Sequence, residues 1–157
     1  MILKLLGGAL LITSSISASR VLIGIEQKRI KQTDSFIALI RYIRDRIDCY
    51  STPIDKILST CPDDILLEIG GRNGEFSFGE LVSQNDMVLD GEGKRILREF
   101  SESLGKNYRE RQIKLCDSAI STLENYRKTK NADLTAKRKA INAICLAIGG
   151  ITVIALI

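Results

Sequence analysis

The last eighteen residues of the chain, 140–157, carry no charge and form its most apolar segment. Their only polar interruptions are Asn142 and Thr152. A helix of this length spans about 27 Å, which is enough for a thin or locally adapted bilayer. A buried C-terminal helix of a soluble domain is the alternative, but small domains rarely bury a helix that is apolar on every side. The segment therefore predicts a transmembrane helix over residues 140–157.

Residues 1–25 form a second apolar segment, interrupted by Lys4, Arg20 and hydroxyl side chains between Thr13 and Ser17. About 20 helical residues cross a bilayer core, and the Arg20 head group is near enough to the end of the segment to reach the interface. A cleaved signal peptide is the alternative, with a weak small-residue site at residues 17–19. Because the apolar run continues to Ile25, beyond that site, we predict a membrane anchor over residues 1–25.

Basic residues cluster beside the inner ends of both predicted spans. They are Lys28, Arg29 and Lys31 after the first span, and Arg127, Lys128, Lys130, Lys137, Arg138 and Lys139 before the second. By the positive-inside rule, residues 26–139 form a cytoplasmic domain and both termini face away from the cytosol. Between Arg41 and Tyr126, 12 basic residues stand against 16 acidic ones, so the net charge of +4 comes from the membrane-proximal residues. The pattern predicts the lipid bilayer as a partner and gives no support for binding of nucleic acid.

The central domain is predicted to be all-α. Apolar residues between Ile30 and Tyr50 recur at steps of three and four, and charged residues fill the opposite face. Helix start and stop signals divide the remainder: Thr52-Pro53, Cys61-Pro62-Asp63, Gly70-Gly71 and Gly105-Lys106-Asn107. Two short helices should contain Leu81 and Phe100, the latter as a core residue. The last helix should place on one face Tyr108, Ile113, Cys116, Ile120 and Leu123. We predict an antiparallel bundle of about six helices, flanked by N- and C-terminal transmembrane helices.

Small residues recur along one face of the second predicted span. They are Ala140, Ala143, Ala147 and Gly150. In lipid, small side chains let helix backbones approach closely. The stripe therefore predicts that the span packs against the first one or against a second copy of the chain, which allows a homo-oligomer.

Two segments resemble ligand-binding loops and fail the requirements of each. Gly91-Glu92-Gly93-Lys94 has neither the spacing nor the Ser or Thr of a phosphate-binding loop, so a turn before a helix is expected. The segment from Asp86 to Leu97 has apolar residues at two positions where a calcium loop needs oxygen ligands. Glu99 and Glu102 share a helix face without the His that a carboxylate metal site would require, which predicts a solvated acidic face.

Nothing in the chain predicts catalysis. It has no His, which removes imidazole bases and imidazole metal ligands. No serine lies in a nucleophile motif, and the cysteines form no C-x-x-C pair. Cys49, Cys61 and Cys116 are predicted to be small, buried core residues. We therefore expect a non-enzyme with no catalytic residues, no cofactor and no metal site, which argues against a small membrane-bound hydrolase.

A series of motifs in a fixed order carries a family resemblance. They are Met1-Ile2-Leu3-Lys4-Leu5-Leu6-Gly7, Ser51-Thr52-Pro53-Ile54, Leu97-Arg98-Glu99-Phe100-Ser101-Glu102-Ser103-Leu104-Gly105 and Gln112-Ile113-Lys114-Leu115. A charged linker and the apolar C-terminal segment follow. In this order the chain resembles stage III sporulation protein AB of endospore-forming bacteria. The resemblance covers essentially the whole chain and is most specific from Leu97 to Leu123.

This resemblance implies a non-enzymatic membrane component of the sporulation channel complex, in the mother-cell membrane around the forespore. The helical domain of the family is similar to the cytoplasmic domain of platform proteins of type II secretion and type IV pilus systems. It implies partners among the proteins of the same sporulation operon, including its cytosolic secretion-type ATPase. The alternative function is a membrane-anchored helical adaptor or sensor with a cleaved leader and one C-terminal anchor.

Overall fold

The computed structural model describes the backbone of residues 2–50, 54–69, 77–83 and 87–156. These residues form six α-helices, which are α1 (Ile2–Tyr50), α2 (Ile54–Ser59), α3 (Asp63–Ile69), α4 (Phe78–Ser83), α5 (Gly91–Ser103) and α6 (Arg109–Leu156). No strand occurs within the described ranges. The predicted all-α class and the predicted number of helices are therefore confirmed.

The helices form two compact units. The terminal unit combines the residues up to Gln27 with those from Lys130 onward, and the central unit extends from Lys28 to Thr129. Because α1 and α6 are each continuous, both helices contribute residues to both units.

The two predicted spans belong to the terminal unit. Both are helical over their described backbone, but the side chains of residues 2–20 and 145–156 lie outside the described part of the structure. The predicted contact over Ala147 and Gly150 falls on these residues. Among the residues that are described, no helix is both long enough and apolar enough to cross a membrane.

The central unit is built on the predicted apolar stripe of α1. Phe36, Ile40, Ile43 and Ile47 of this stripe are buried, which confirms the helical period read from the sequence. They join a core that includes residues of all six helices: Ile57 and Leu58, Leu66 and Ile69, Phe78 and Leu81, Ile96, Leu97 and Phe100, Cys116 and Leu123. The burial of these apolar side chains is the main stabilising contribution to such a bundle.

Three aromatic rings connect α1, α4 and α5 within this core. The ring centroids of Phe36 and Phe78 are 6.3 Å apart, and those of Phe78 and Phe100 are 5.1 Å apart, both in edge-to-face arrangement. Such pairs add stabilisation beyond the burial of their area. Phe100 is 2% exposed, so its prediction as a core residue is confirmed.

Local signals account for the starts of two short helices. α3 begins at Asp63 as predicted, and the carbonyl oxygen of Pro62 accepts from the N–H groups of Ile65 and Leu66. At α4, Ser77 and Glu80 form a capping box: the Ser77 hydroxyl accepts from the Glu80 N–H, and the Glu80 carboxylate accepts from the Ser77 N–H. The predicted signals at Thr52-Pro53 and Gly70-Gly71 lie outside the described residues.

The buried face of α6 agrees in part with the predicted one, because Cys116 and Leu123 are buried and Ile113 and Ile120 are half-buried against the core. Within the central unit it consists of Gln112, Cys116, Ala119, Leu123 and Tyr126, which alternate at steps of four and three. The prediction that Tyr108 lies on the buried face is wrong, because this side chain is 92% exposed. It directly precedes α6 and lies outside the four-three series.

The prediction that Cys49 is buried is also wrong, since its side chain is exposed. Ile47 is buried two residues earlier, and side chains two positions apart on a helix do not share a face, so Cys49 points away from the core. Cys61 and Cys116 are buried as predicted.

Candidate interaction surfaces

Within the central unit, α1 and α6 are joined by four ion pairs. The pairs are Asp34 with Arg127 at 2.5 Å, Arg41 with Glu124 at 2.5 Å, Arg44 with Asp117 at 2.6 Å and Asp48 with Arg109 at 2.9 Å. Residue numbers rise along α1 as those of the partners fall along α6, so the two helices run antiparallel. Exposed pairs of this kind each stabilise a fold only slightly, by about 0–1 kcal/mol. Their value is that opposite charges fix one register between the helices.

Asp90 organises the contact between the start of α5 and the other long helices. It is the N-cap of α5, and its Oδ1 accepts hydrogen bonds from the Gly93 N–H at 3.1 Å and from the Tyr126 hydroxyl at 2.9 Å. Nη1 of Arg29 lies 3.9 Å from Oδ2 of the same carboxylate. One carboxylate thus links α1, α5 and α6.

The segment before Asp90 is held against α1 by its backbone. Nε of Arg29 donates to the Val88 carbonyl oxygen at 3.2 Å, and Oε1 of Gln32 accepts from the Val88 N–H at 2.9 Å. Gln32 is 6% exposed, so this bond satisfies a buried amide. Together with Asp90, these bonds hold the entry to α5 from two sides.

Tyr126 packs directly against the first turn of α5. A Cβ atom placed on Gly93 would lie 3.2 Å from both Cζ and Oη of Tyr126, so Gly93 permits an approach that a larger residue would obstruct. Burial, followed by the hydrogen bond to Asp90, raises the pKa of the Tyr126 phenol well above its usual range. The hydroxyl therefore remains a proton donor at any physiological pH.

The glycine-rich segment 91–94 forms the first turn of α5, so the expected turn before the helix is wrong: Asp90 caps the helix and it begins at Gly91. Its free N–H groups face a carboxylate of the protein itself, because Asp90 caps Gly93 through its side chain. A second anion would meet the negative charge of Asp90 at this position. The arrangement is that of a capped helix start, and it does not favour phosphate binding.

The turn between α5 and α6 is organised around Gln112. When its amide is oriented to match the donors, its oxygen accepts from the N–H groups of Gly105 at 3.0 Å, Lys106 at 3.2 Å and Asn107 at 3.0 Å. Gln112 is 4% exposed. Gly105 has φ +81°, a conformation that glycine adopts at little cost. Two of the motifs that carry the family resemblance, which end at Gly105 and begin at Gln112, therefore meet in one turn.

The other carboxylates and thiols that could act as ligands or nucleophiles have surroundings that indicate a structural role. Nη1 of Arg95 pairs with Glu99 at 2.8 Å, and Glu102 is exposed on the same helix. Burial raises the pKa of both Cys61 and Cys116 to about 11, so both thiols stay protonated at neutral pH. Over the part of the chain that the structure describes, no three His, Cys, Asp or Glu side chains gather as metal ligands.

Among the described residues of the central unit, two large apolar side chains are exposed. Tyr108 is 92% exposed between α5 and α6, and Leu67 is 73% exposed on α3. The charges beside them are of opposite sign. Lys106, Arg111 and Lys114 are exposed near Tyr108, whereas Asp63 and Asp64 are exposed near Leu67. These two surfaces are the candidates for contact with another protein.

The sequence alone gives Asp90, Gln112 and Tyr126 no evident role. The spacing of α6 contained a signal for two of them, since residues 112, 116, 119, 123 and 126 alternate by four and three. A polar residue at such a position indicates a buried hydrogen bond. The identity of the bonding partner, however, depends on residues that are distant along the chain.

The family model for stage III sporulation protein AB matches residues 4–157. No curated protein and no solved structure is significantly similar to the chain. The matched range includes the motifs from Leu97 to Leu123 and both apolar ends. The family is one of sporulation components and is not a known enzyme family. The chain therefore belongs to the stage III sporulation protein AB family and has a role in sporulation.

Proposed function

We propose that this protein is a non-enzymatic membrane platform of the sporulation channel complex. In this proposal residues 1–25 and 140–157 cross the mother-cell membrane around the forespore, and residues 26–139 lie in the cytosol. The domain contacts other proteins of the operon and couples to its secretion-type ATPase. Family membership supports the setting, and the charge distribution beside the apolar ends supports the topology.

The antiparallel pair of α1 and α6 is the observation that carries the proposal. Each helix runs unbroken from the central unit into an apolar end of the chain. Within the central unit, four ion pairs hold the two helices in one register. A force applied to the central unit can therefore pass along two continuous helices, which is what a platform coupled to a cytosolic motor requires.

The use of polar groups supports a non-enzymatic role. The side chains of Asp90, Gln112 and Gln32 accept hydrogen bonds from backbone N–H groups, and Asp90 also accepts one from the Tyr126 hydroxyl. No buried side-chain N or O atom in the described part lacks a partner. Catalytic sites commonly contain groups with strained or incompletely satisfied interactions, and this pattern is different.

Exposed Cys49 provides a test of the topology. In a variant with Cys145→Ser, expressed in vegetative cells so that the protein enters the plasma membrane, a membrane-impermeant maleimide should label Cys49 only after lysis. A matched variant that adds Ile157→Cys should be labelled in intact cells, because the proposal places that terminus outside. Labelling of Cys49 before lysis would overturn the proposed orientation.

Co-purification tests the proposed coupling. Full-length protein isolated from sporulating cells in mild detergent should carry the operon's secretion-type ATPase. Recovery of other proteins of the operon without the ATPase would contradict the coupling. The mass of the isolated protein distinguishes the proposed platform from the alternative adaptor or sensor. Cleavage of a leader near residues 17–19 would give a lower mass and leave a chain with one anchor.

A further inference from the structure

Tyr108 is presented to solvent by a rigid turn. Its carbonyl oxygen accepts from the N–H groups of Arg111 and Gln112, both at 3.0 Å, and the N–H groups of all three residues before it are bound by the Gln112 amide oxygen. The backbone on both sides of Tyr108 is thus hydrogen-bonded while the ring itself is 92% exposed. Because the backbone is already ordered, a partner that covers the ring restricts only its side-chain torsions.

The charges around Tyr108 are mainly positive. Lys106 precedes it, and Arg111 and Lys114 follow at steps of three along the same side of α6; all three are exposed and have no ion pair among the described residues. Glu110 is the one acidic residue among them. Arg111 lies in the first turn of α6, where a cation is unfavourable next to the helix dipole. The stability of the helix therefore gives no reason for this cation, whereas an acidic partner does. We call Lys106, Tyr108, Arg111 and Lys114 the Tyr108 surface.

The central unit also carries a surface of complementary character. On α3, Asp63 and Asp64 precede Leu67 by four and three residues, so the three side chains share one helix face. All three are exposed, and neither carboxylate has an ion pair among the described residues. We call these residues the Leu67 surface. It offers an apolar side chain beside negative charge, opposite in sign to the Tyr108 surface.

We propose that the Tyr108 surface of one copy binds the Leu67 surface of a second copy. The Tyr108 ring would cover Leu67, and the cations of one surface would face Asp63 and Asp64 of the other. The two surfaces do not cover each other within one chain, because both apolar side chains are exposed. Tyrosine and arginine are the residue types most often responsible for binding energy at interfaces. The inference rests on the proposed platform and adds a contact between its copies.

An anionic membrane is a less suitable occupant of the Tyr108 surface. Lipid head groups would offer negative charge alone. The Leu67 surface offers two exposed carboxylates together with an exposed apolar side chain that the Tyr108 ring can cover. A protein partner is therefore favoured over lipid.

Photo-crosslinking in full-length protein tests the contact. Tyr108 is replaced by p-benzoylphenylalanine, and equal amounts of unlabelled and ¹⁵N-labelled protein are reconstituted together in lipid nanodiscs. We expect crosslinked peptides that join residue 108 of an unlabelled copy to the α3 segment 63–69 of a ¹⁵N-labelled copy, or the reverse. The same amino acid at Arg98, an exposed position of α5, should give no such peptide. Crosslinks only to lipid, only to other segments, or none at all would overturn the proposal.

Charge exchange provides the second test, with the same crosslink as readout. Arg111→Glu and Asp64→Lys should each lower its yield at least about tenfold, as expected for central interface residues. The combined variant should recover the yield, because it restores opposite charges between copies. Arg98→Glu should leave it unchanged. Failure of the combined variant to recover would contradict the pairing. Co-purification of the ATPase is measured separately, so loss of one contact is distinguishable from loss of the other.

Discussion

The hydroxyl of Tyr126 donates a 2.9 Å hydrogen bond to Oδ1 of Asp90, the residue that caps α5. The two residues are 36 positions apart in the sequence. Because Asp90 also lies near Arg29, the bond connects α6 to the point where α5 begins against α1. The hydrogen bond between Tyr126 and Asp90 lies close to the residues that limit the central unit, Lys28 on α1 and Thr129 on α6. The start of α5 is therefore positioned by both helices that leave the unit.

Removal of this hydroxyl should destabilise the protein measurably. Tyr126→Phe keeps the ring against Gly93 but loses the bond to a carboxylate, so the free energy of unfolding should fall by about 1–3 kcal/mol. Tyr42→Phe is the matched control, since the Tyr42 hydroxyl donates to the Thr60 carbonyl oxygen in an exposed setting. Chemical denaturation of the full chain, followed by circular dichroism, measures both. Equal effects of the two variants would contradict the role assigned to the Asp90 bond.

Phe100→Ala should be among the most damaging single substitutions. The ring is 2% exposed and packs edge-to-face on Phe78, so its removal leaves a cavity and should cost about 3–5 kcal/mol. Leu67→Ala, at a side chain that is 73% exposed, should change the unfolding free energy of the same chain by less than about 0.5 kcal/mol. A Phe100→Ala protein that unfolds like the parent would show that the inner face of α5 is misassigned.

The two glycines at the ends of α5 should respond differently to alanine. Gly105 has φ +81°, and its added Cβ would lie 3.2 Å from Cδ1 of Ile54, so Gly105→Ala should cost about 1 kcal/mol or more. Gly91 is helical and has nothing within 4 Å of an added Cβ, so Gly91→Ala should be neutral or slightly stabilising. Thermal unfolding of both variants checks the difference. Similar melting temperatures would contradict the left-handed turn at Gly105.

The three described cysteines should differ sharply in reactivity. Cys49 is exposed, so at pH 8 it should react with maleimide about as fast in the folded protein as in the unfolded chain. Cys61 and Cys116 are buried, and burial raises their pKa to about 11, so both should react only after unfolding. The experiment uses Cys145→Ser, and mass spectrometry identifies the modified residue. Rapid modification of Cys116 in the folded protein would show that the α6 face around it opens readily.

The same two thiols predict how stability depends on pH. Their folded-state pKa lies above the value of about 8.5 for an unfolded chain, so the fold disfavours the thiolate. The stabilising contribution of the two protonated thiols to the free energy of unfolding is complete below the unfolded-chain pKa of about 8.5. It is lost as the pH rises towards 11. The unfolding free energy should therefore fall between pH 9 and about 11. The double variant Cys61→Ala with Cys116→Ala should show a shallower decline, and an equal decline would assign the effect to other groups.

Local signals in the sequence were sufficient for the class of the fold and for several helix limits. The steps of three and four in α1 identified Phe36, Ile40 and Ile43 as buried, because an amphipathic helix must turn its apolar stripe inward whatever it packs against. The start of α3 after Pro62 followed from the requirements of a helix N-terminus. The basic residues beside the apolar ends likewise predict a topology from the sequence alone.

The tertiary structure decided which face of α6 is buried and what the polar residues do. The sequence placed Cys116 and Leu123 on the buried face correctly, but only the packing of the folded chain adds Gln112 and Tyr126 to that face. The partners of these two side chains, the N–H groups at residues 105–107 and the Asp90 carboxylate, come together only when the chain is folded. A buried polar group is stabilised by a bond whose other half is remote in sequence, so periodicity alone cannot identify it. Tyr108 illustrates the converse, because an apolar residue just outside a helix is free to face solvent.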